Sequence, residues 1–142
     1  MTQPTFATPQ EAAMSGFSAR HCRVVAMAVD GDDAYVVIDT GSDGFSYLYG
    51  GTAQREADGW RDGNSGNGDG WMSTDPERDL GVLTVWDEAP AGCDAVRVQW
   101  RGETREAAVH DGAYLVAWFK VACPEDSWPS VTSFRIGGRW VP

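Results

Sequence analysis

Turn signals recur about every ten residues along most of the chain, and this spacing constrains the fold more than any other feature. Asp30-Gly31, Asp58-Gly59, Arg101-Gly102, Asp111-Gly112 and Gly137-Gly138 each stand between short apolar or alternating runs. Gly and Asp tolerate the left-handed backbone that tight hairpin turns demand. Runs this short suit strands, and they leave little room for helices. The pattern predicts an all-β, mainly antiparallel fold: a β-sandwich of about ten short strands with one short N-terminal helix. The alternative is an α+β roll, with the helix packed into a strongly curved sheet.

The helix is expected over residues 8–17. Thr8 can cap it, Pro9 suits its first turn, Glu11 completes a capping box, and Gly16 can end it. Ala12, Ala13 and Phe17 would rest on a sheet. Strands follow at 21–29 and 34–40, joined through Asp30-Gly31, and both are apolar on both faces. A turn at 41–44 leads to a strand over 45–56, where Gly50-Gly51 suggests a bulge or bend. A short strand at Trp60 closes the first half.

Residues 62–71, Asp-Gly-Asn-Ser-Gly-Asn-Gly-Asp-Gly-Trp, show no apolar periodicity. They read as a Gly-rich loop joining two β-meander halves, about 1–61 and 72–142, of one domain spanning 1–142. After it come strands over 80–86 and 94–101, a polar edge strand over 103–109, and a doubly apolar strand over 113–122. That last one is expected at the centre of a sheet. Residues 131–136 and 139–141 form a final hairpin.

A net charge of −10 is spread along the chain. Residues 1–71 hold four Arg against ten Asp or Glu, a net of −6; residues 72–142 hold seven basic against eleven acidic side chains, a net of −4. Nucleic-acid backbones and anionic membrane surfaces need clustered Lys or Arg, so both are disfavoured as partners. A basic protein suits this field. No secretory signal and no apolar run of membrane-spanning length is visible, which makes the cytoplasm the default. Three cysteines without CxxC spacing agree, because neither a disulfide framework nor a zinc site is implied.

Four places carry residue types capable of chemistry. In the Gly-rich stretch, Asp62, Asn64, Asn67 and Asp69 supply hard oxygen atoms on a flexible backbone, as Ca²⁺ would require. Counted as an EF-hand from Asp62, however, position five is Gly66 and position twelve is Ser73. Lys and a following helix are missing for a phosphate loop, so no metal and no cofactor is expected. The acidic run Asp30, Asp32, Asp33 is turn chemistry. His21 and Cys22 are neighbours, and in a strand they would face opposite sides, so they form no dyad. A His110 or His21 base acting with a distant thiol or hydroxyl is the enzyme alternative, without GxSxG or HExxH to support it.

Seven Trp form the last candidate. Those on strands read as core, whereas Trp71 and Trp128 lie in loops. Rings displayed on a sandwich can stack on sugars, as in carbohydrate-binding modules. The sequence therefore favours a non-catalytic intracellular module that binds a protein partner, of inhibitor or immunity type in one version, or pairs with itself as a homodimer. The alternative is a small-molecule or carbohydrate binder using Trp71, Trp128, Asp62, Asn64, Asn67 and Asp69.

Overall fold

The computed structural model describes residues 4–18, 20–41 and 47–142. It is mostly antiparallel β, as the turn spacing implies, with one short helix and eleven strands in three sheets among the described residues. The chain divides into two compact units, Met1–Gly68 and Asp69–Pro142. The turn expected at 42–44 and the first two residues of the strand expected from Phe45 lie outside the described residues.

In the first unit, helix α1 spans Pro9–Met14. The Thr8 hydroxyl accepts the Glu11 backbone N–H, as the expected N-cap requires, and donates to the Glu11 carboxylate, so the two side chains meet hydroxyl to carboxylate. Strands β1 (Arg23–Asp30), β2 (Asp33–Asp39), β3 (Leu48–Glu56) and β4 (Gly59–Gly66) make one sheet in sequence order. The small side chains of Ala12 and Ala13 let the helix approach β2 closely. Ala12 packs with Ala34, Ala53 and Trp60, and Ala13 packs with Val36 and Ile38. Phe6 exchanges two backbone hydrogen bonds with Trp60, each 2.7 Å, and so covers the start of β4.

Two elements of this unit differ from what the sequence implies. Strand β1 begins at Arg23, so His21 and Cys22 precede it, and His21 lies in a turn. The Gly-rich stretch is not a loop over 62–71: residues 62–66 belong to β4, and β5 already begins at Gly70. At Gly50 of β3 and Gly63 of β4, neighbours occupy the space that a side chain would take. A Cβ on Gly50 would run into the ring of fully buried Tyr35, and one on Gly63 into the Thr52 side chain. Gly50 pairs with Gly66 and Gly51 with Ser65, and the bulge lies between Gly51 and Ala53. The Thr52 hydroxyl accepts the Asn64 N–H at 2.9 Å across this bulge.

In the second unit, β5 (Gly70–Asp75), β6 (Leu80–Glu88) and β9 (Ala113–Val121) form one sheet. Strands β11 (Arg139–Val141), β10 (Ser130–Ile136), β7 (Cys93–Trp100) and β8 (Glu103–Ala108) form the other, in that order. The two sheets share one core: Leu83 and Val85 from β6 and Tyr114, Val116 and Trp118 from β9 meet Val96, Val98 and Trp100 from β7. This unit is a β-sandwich. As expected, β8 is an edge strand. Strand β9, expected at a sheet centre, is instead outermost in its sheet, and β6 is central. An apolar pattern reports burial, not hydrogen-bonded neighbours. β9 is buried at its edge because β8 turns into it through Asp111-Gly112, both at positive φ, and Arg105 of β8 donates to the Ala117 carbonyl.

Candidate functional site

A cleft of about 440 Å³ opens in the second unit. Asp69, Gly70 and Trp71 form one wall at the start of β5, with Thr84 and Val85 of β6 beside them. Trp128, Pro129, Ser130 and Val131, leading into β10, form the other.

Each wall is fixed locally. Trp71 is half-buried against the core, and its indole N–H donates to the Val121 carbonyl at 3.0 Å. Its ring passes over Gly81, where a Cβ would come within 2.7 Å of Trp71 Cε2. Trp128 is 52% exposed. The segment that carries it is pinned on both sides. The Ser127 carbonyl accepts the Trp100 indole N–H at 3.0 Å, and Ser130 pairs with Gln99. Pro129 further restricts the Trp128 backbone to extended conformations.

Asp69 replaces the backbone of β5 just before that strand begins. Its carboxylate accepts the Trp86 N–H at 3.1 Å, one step beyond the Gly70–Thr84 pair. The residue is exposed, but its carboxyl rests on the cleft wall. Partial burial, and after it the negative charge of Asp87, raises its pKa above the ordinary aspartate value, against the lowering effect of the Trp86 hydrogen bond. The Thr84 hydroxyl donates to the Gly70 carbonyl at 3.3 Å, so the backbone at the cleft floor is satisfied.

Tyr114 is buried nearby in the core, where its ring meets Phe134 edge-on. Burial, then the charges of Asp87, Asp69 and Cys93, pushes its phenol up to about 12. The neutral phenol is thus the folded form, whereas an unfolded tyrosine ionises near pH ~10. The stability this group contributes is fully present below pH ~10 and is lost as pH rises toward 12, at about 1.4 kcal/mol per pH unit. A phenolate absorbance titration should show a late-ionising step near pH 12 that Tyr114→Phe removes. A late step of the same size in Tyr114→Phe would contradict the burial of this hydroxyl.

Of the six residues singled out from the sequence, the structure brings together Asp69, Trp71 and Trp128. The other three belong to the first unit and do not line the cleft. Asp62 is half-buried on β4, where burial raises its carboxyl and the Gly63 N–H works against that rise. Asn64 is exposed on the same strand. Asn67 follows it and donates to the Tyr47 hydroxyl at 3.3 Å. Val85, Ser130 and Val131 carry no sequence signal for a site, since Val85 and Val131 read as ordinary strand residues and Ser130 as the end of a loop. Both histidines are exposed, and neither lines the cleft. Among the described residues no group of three or more His, Cys, Asp or Glu is placed to hold a metal ion, and no helix is long and apolar enough to cross a membrane.

No protein-family model, curated protein or solved structure matches this chain.

Proposed function

We propose that the protein is a non-catalytic binding module of the cytoplasm, and that the cleft of the second unit is where it contacts a protein partner. The observation that carries this reading is the convergence of Trp71, Trp128 and Asp69 on one cleft, with Trp128 exposed on a pinned segment. An aromatic anchor beside a charged group is the composition of a binding hot spot. The acidic chain, at −10, supports a basic partner. Three unpaired cysteines support a reducing compartment.

An exposed indole next to a carboxylate also suits stacking on a sugar, so a carbohydrate or other small molecule is the second reading. One experiment addresses both. Tryptophan emission is followed while basic peptides, acidic peptides and neutral oligosaccharides are titrated into the protein and into Trp128→Phe. A response present in the first and absent in the variant is the expected result. If no ligand class gives a Trp128-dependent response, the cleft is not a binding site and the reading falls.

A further inference from the structure

Three features compete for attention: the cleft, the apolar edge of β1, and the aromatic trio Phe17, Tyr47 and Tyr49. Only in the cleft does the chemistry specify an occupant. Asp69 is the one ionisable side chain on its walls; no Lys, Arg or His lines it. Trp128, 52% exposed, lines the same cleft. A carboxylate and an electron-rich indole therefore share one cavity. Anions are repelled from such a space. Neutral ligands can stack but leave the carboxylate uncompensated. A cation satisfies both, through a charge-assisted hydrogen bond to the carboxylate and a cation–π contact with the ring.

We infer that the cleft receives an arginine side chain of a basic partner protein, its guanidinium between the Asp69 carboxylate and the Trp128 ring. The inference rests on the binding reading above and gives it a partner chemistry. Arginine fits better than lysine because its planar guanidinium stacks on an indole while its edge still donates hydrogen bonds. The same chemistry occurs inside this unit, where the Arg97 guanidinium lies 3.8 Å from the Trp140 ring centroid and donates to Glu106 at 3.0 Å. The raised pKa of Asp69 agrees, because a carboxyl whose charge is poorly compensated gains from an incoming cation. Charge on the whole chain would speed the encounter with a basic partner.

The test uses a short arginine-containing peptide, the same peptide with citrulline in place of arginine, and the neutral oligosaccharides, each titrated at two salt concentrations. Citrulline keeps the shape and removes the charge. Three variants accompany the wild type. Asp69→Asn removes the charge and retains an oxygen for the Trp86 N–H. Trp128→Phe trims an exposed ring. Asp111→Asn removes one negative charge at the β8–β9 hairpin and is not among the cleft residues. Thermal melting first establishes that each variant folds.

The arginine peptide should bind, and the citrulline peptide should bind at least about tenfold more weakly. Asp69→Asn should lose a similar factor, whereas Asp111→Asn should change affinity less than about twofold. Equal losses in Asp69→Asn and Asp111→Asn would mean diffuse attraction and overturn the inference, as would equal binding of citrulline. A Trp128-dependent response to an oligosaccharide alone overturns the inference and leaves the cleft a binding site. No Trp128-dependent response to any probe overturns both.

Discussion

Gly81→Ala should destabilise the second unit by about 3 kcal/mol and lower its melting temperature by roughly 10 °C. Gly81 lies buried on β6, paired with Ser73 of β5. A Cβ at this position would run into the backbone carbonyl of Met72 and approach Trp71 Cε2 to 2.7 Å. A flexible side chain could swing aside, but the Met72 carbonyl belongs to the paired strand and can move only if β5 moves. Displacing β5 also displaces Trp71 and breaks its hydrogen bond to Val121. The cleft wall is lost with it, so ligand response should fall together with stability. Gly68→Ala serves as the control, since nothing lies within 4 Å of a Cβ there. Its melting temperature should match the wild type. Equal melting of Gly81→Ala and Gly68→Ala would refute the close β5–β6 approach.

Trp118→Ala should cost about 3–5 kcal/mol, the range for emptying a large aromatic site in a packed core. Trp118 is 4% exposed and meets Trp100 edge-on, ring centroids 5.4 Å apart, across the two sheets of the sandwich. The site cannot collapse easily, because β8 and β9 both frame it. The Arg105 guanidinium lies 4.6 Å from its ring centroid, and its indole N–H donates to Glu103 at 3.2 Å. Hydrogen bonds from Arg105, and then from Trp118, hold the Glu103 carboxyl below the ordinary glutamate value. Trp118→Phe keeps most of the packing and should lose clearly less than the alanine variant. Chemical denaturation of the three proteins measures the order. A Trp118→Ala variant as stable as the wild type would mean that this corner does not hold the two sheets together.

Several features were legible in the chain because they depend on local chemistry. The Thr8 N-cap over the Glu11 N–H needs only four residues in order. The hairpins at Asp30-Gly31, Asp111-Gly112 and Gly137-Gly138 need only backbone that tolerates positive φ, which Gly31, Asp111, Gly112, Gly137 and Gly138 all adopt. Alternation in β7 placed Val96, Val98 and Trp100 correctly in the core. What misled was composition without partners. Asp62 to Gly66 lacks apolar residues and looks like a loop, yet β3 supplies a complementary ladder and Thr52 supplies a hydroxyl for the Asn64 N–H. β9 looks central because both its faces are apolar, yet β6 holds that place.

The site followed the same division. Trp128 was visible as a loop aromatic between a proline and a polar segment. Trp71 was visible only as a ring of undecided direction, and its inward turn depends on Gly81 and on the Val121 carbonyl fifty residues away. The all-β class, the capped helix and the hairpin positions could be read along the chain, because each is set by residues within a few places of one another. Tertiary packing is what makes the Gly-rich stretch mostly strand, sets Asp69 with Trp71 and Trp128 on one cleft, and assigns Asp62, Asn64 and Asn67 to the first unit. Those outcomes depend on which distant backbone fills the space beside a glycine and which distant amide a carboxylate meets, and adjacent residues carry no record of either.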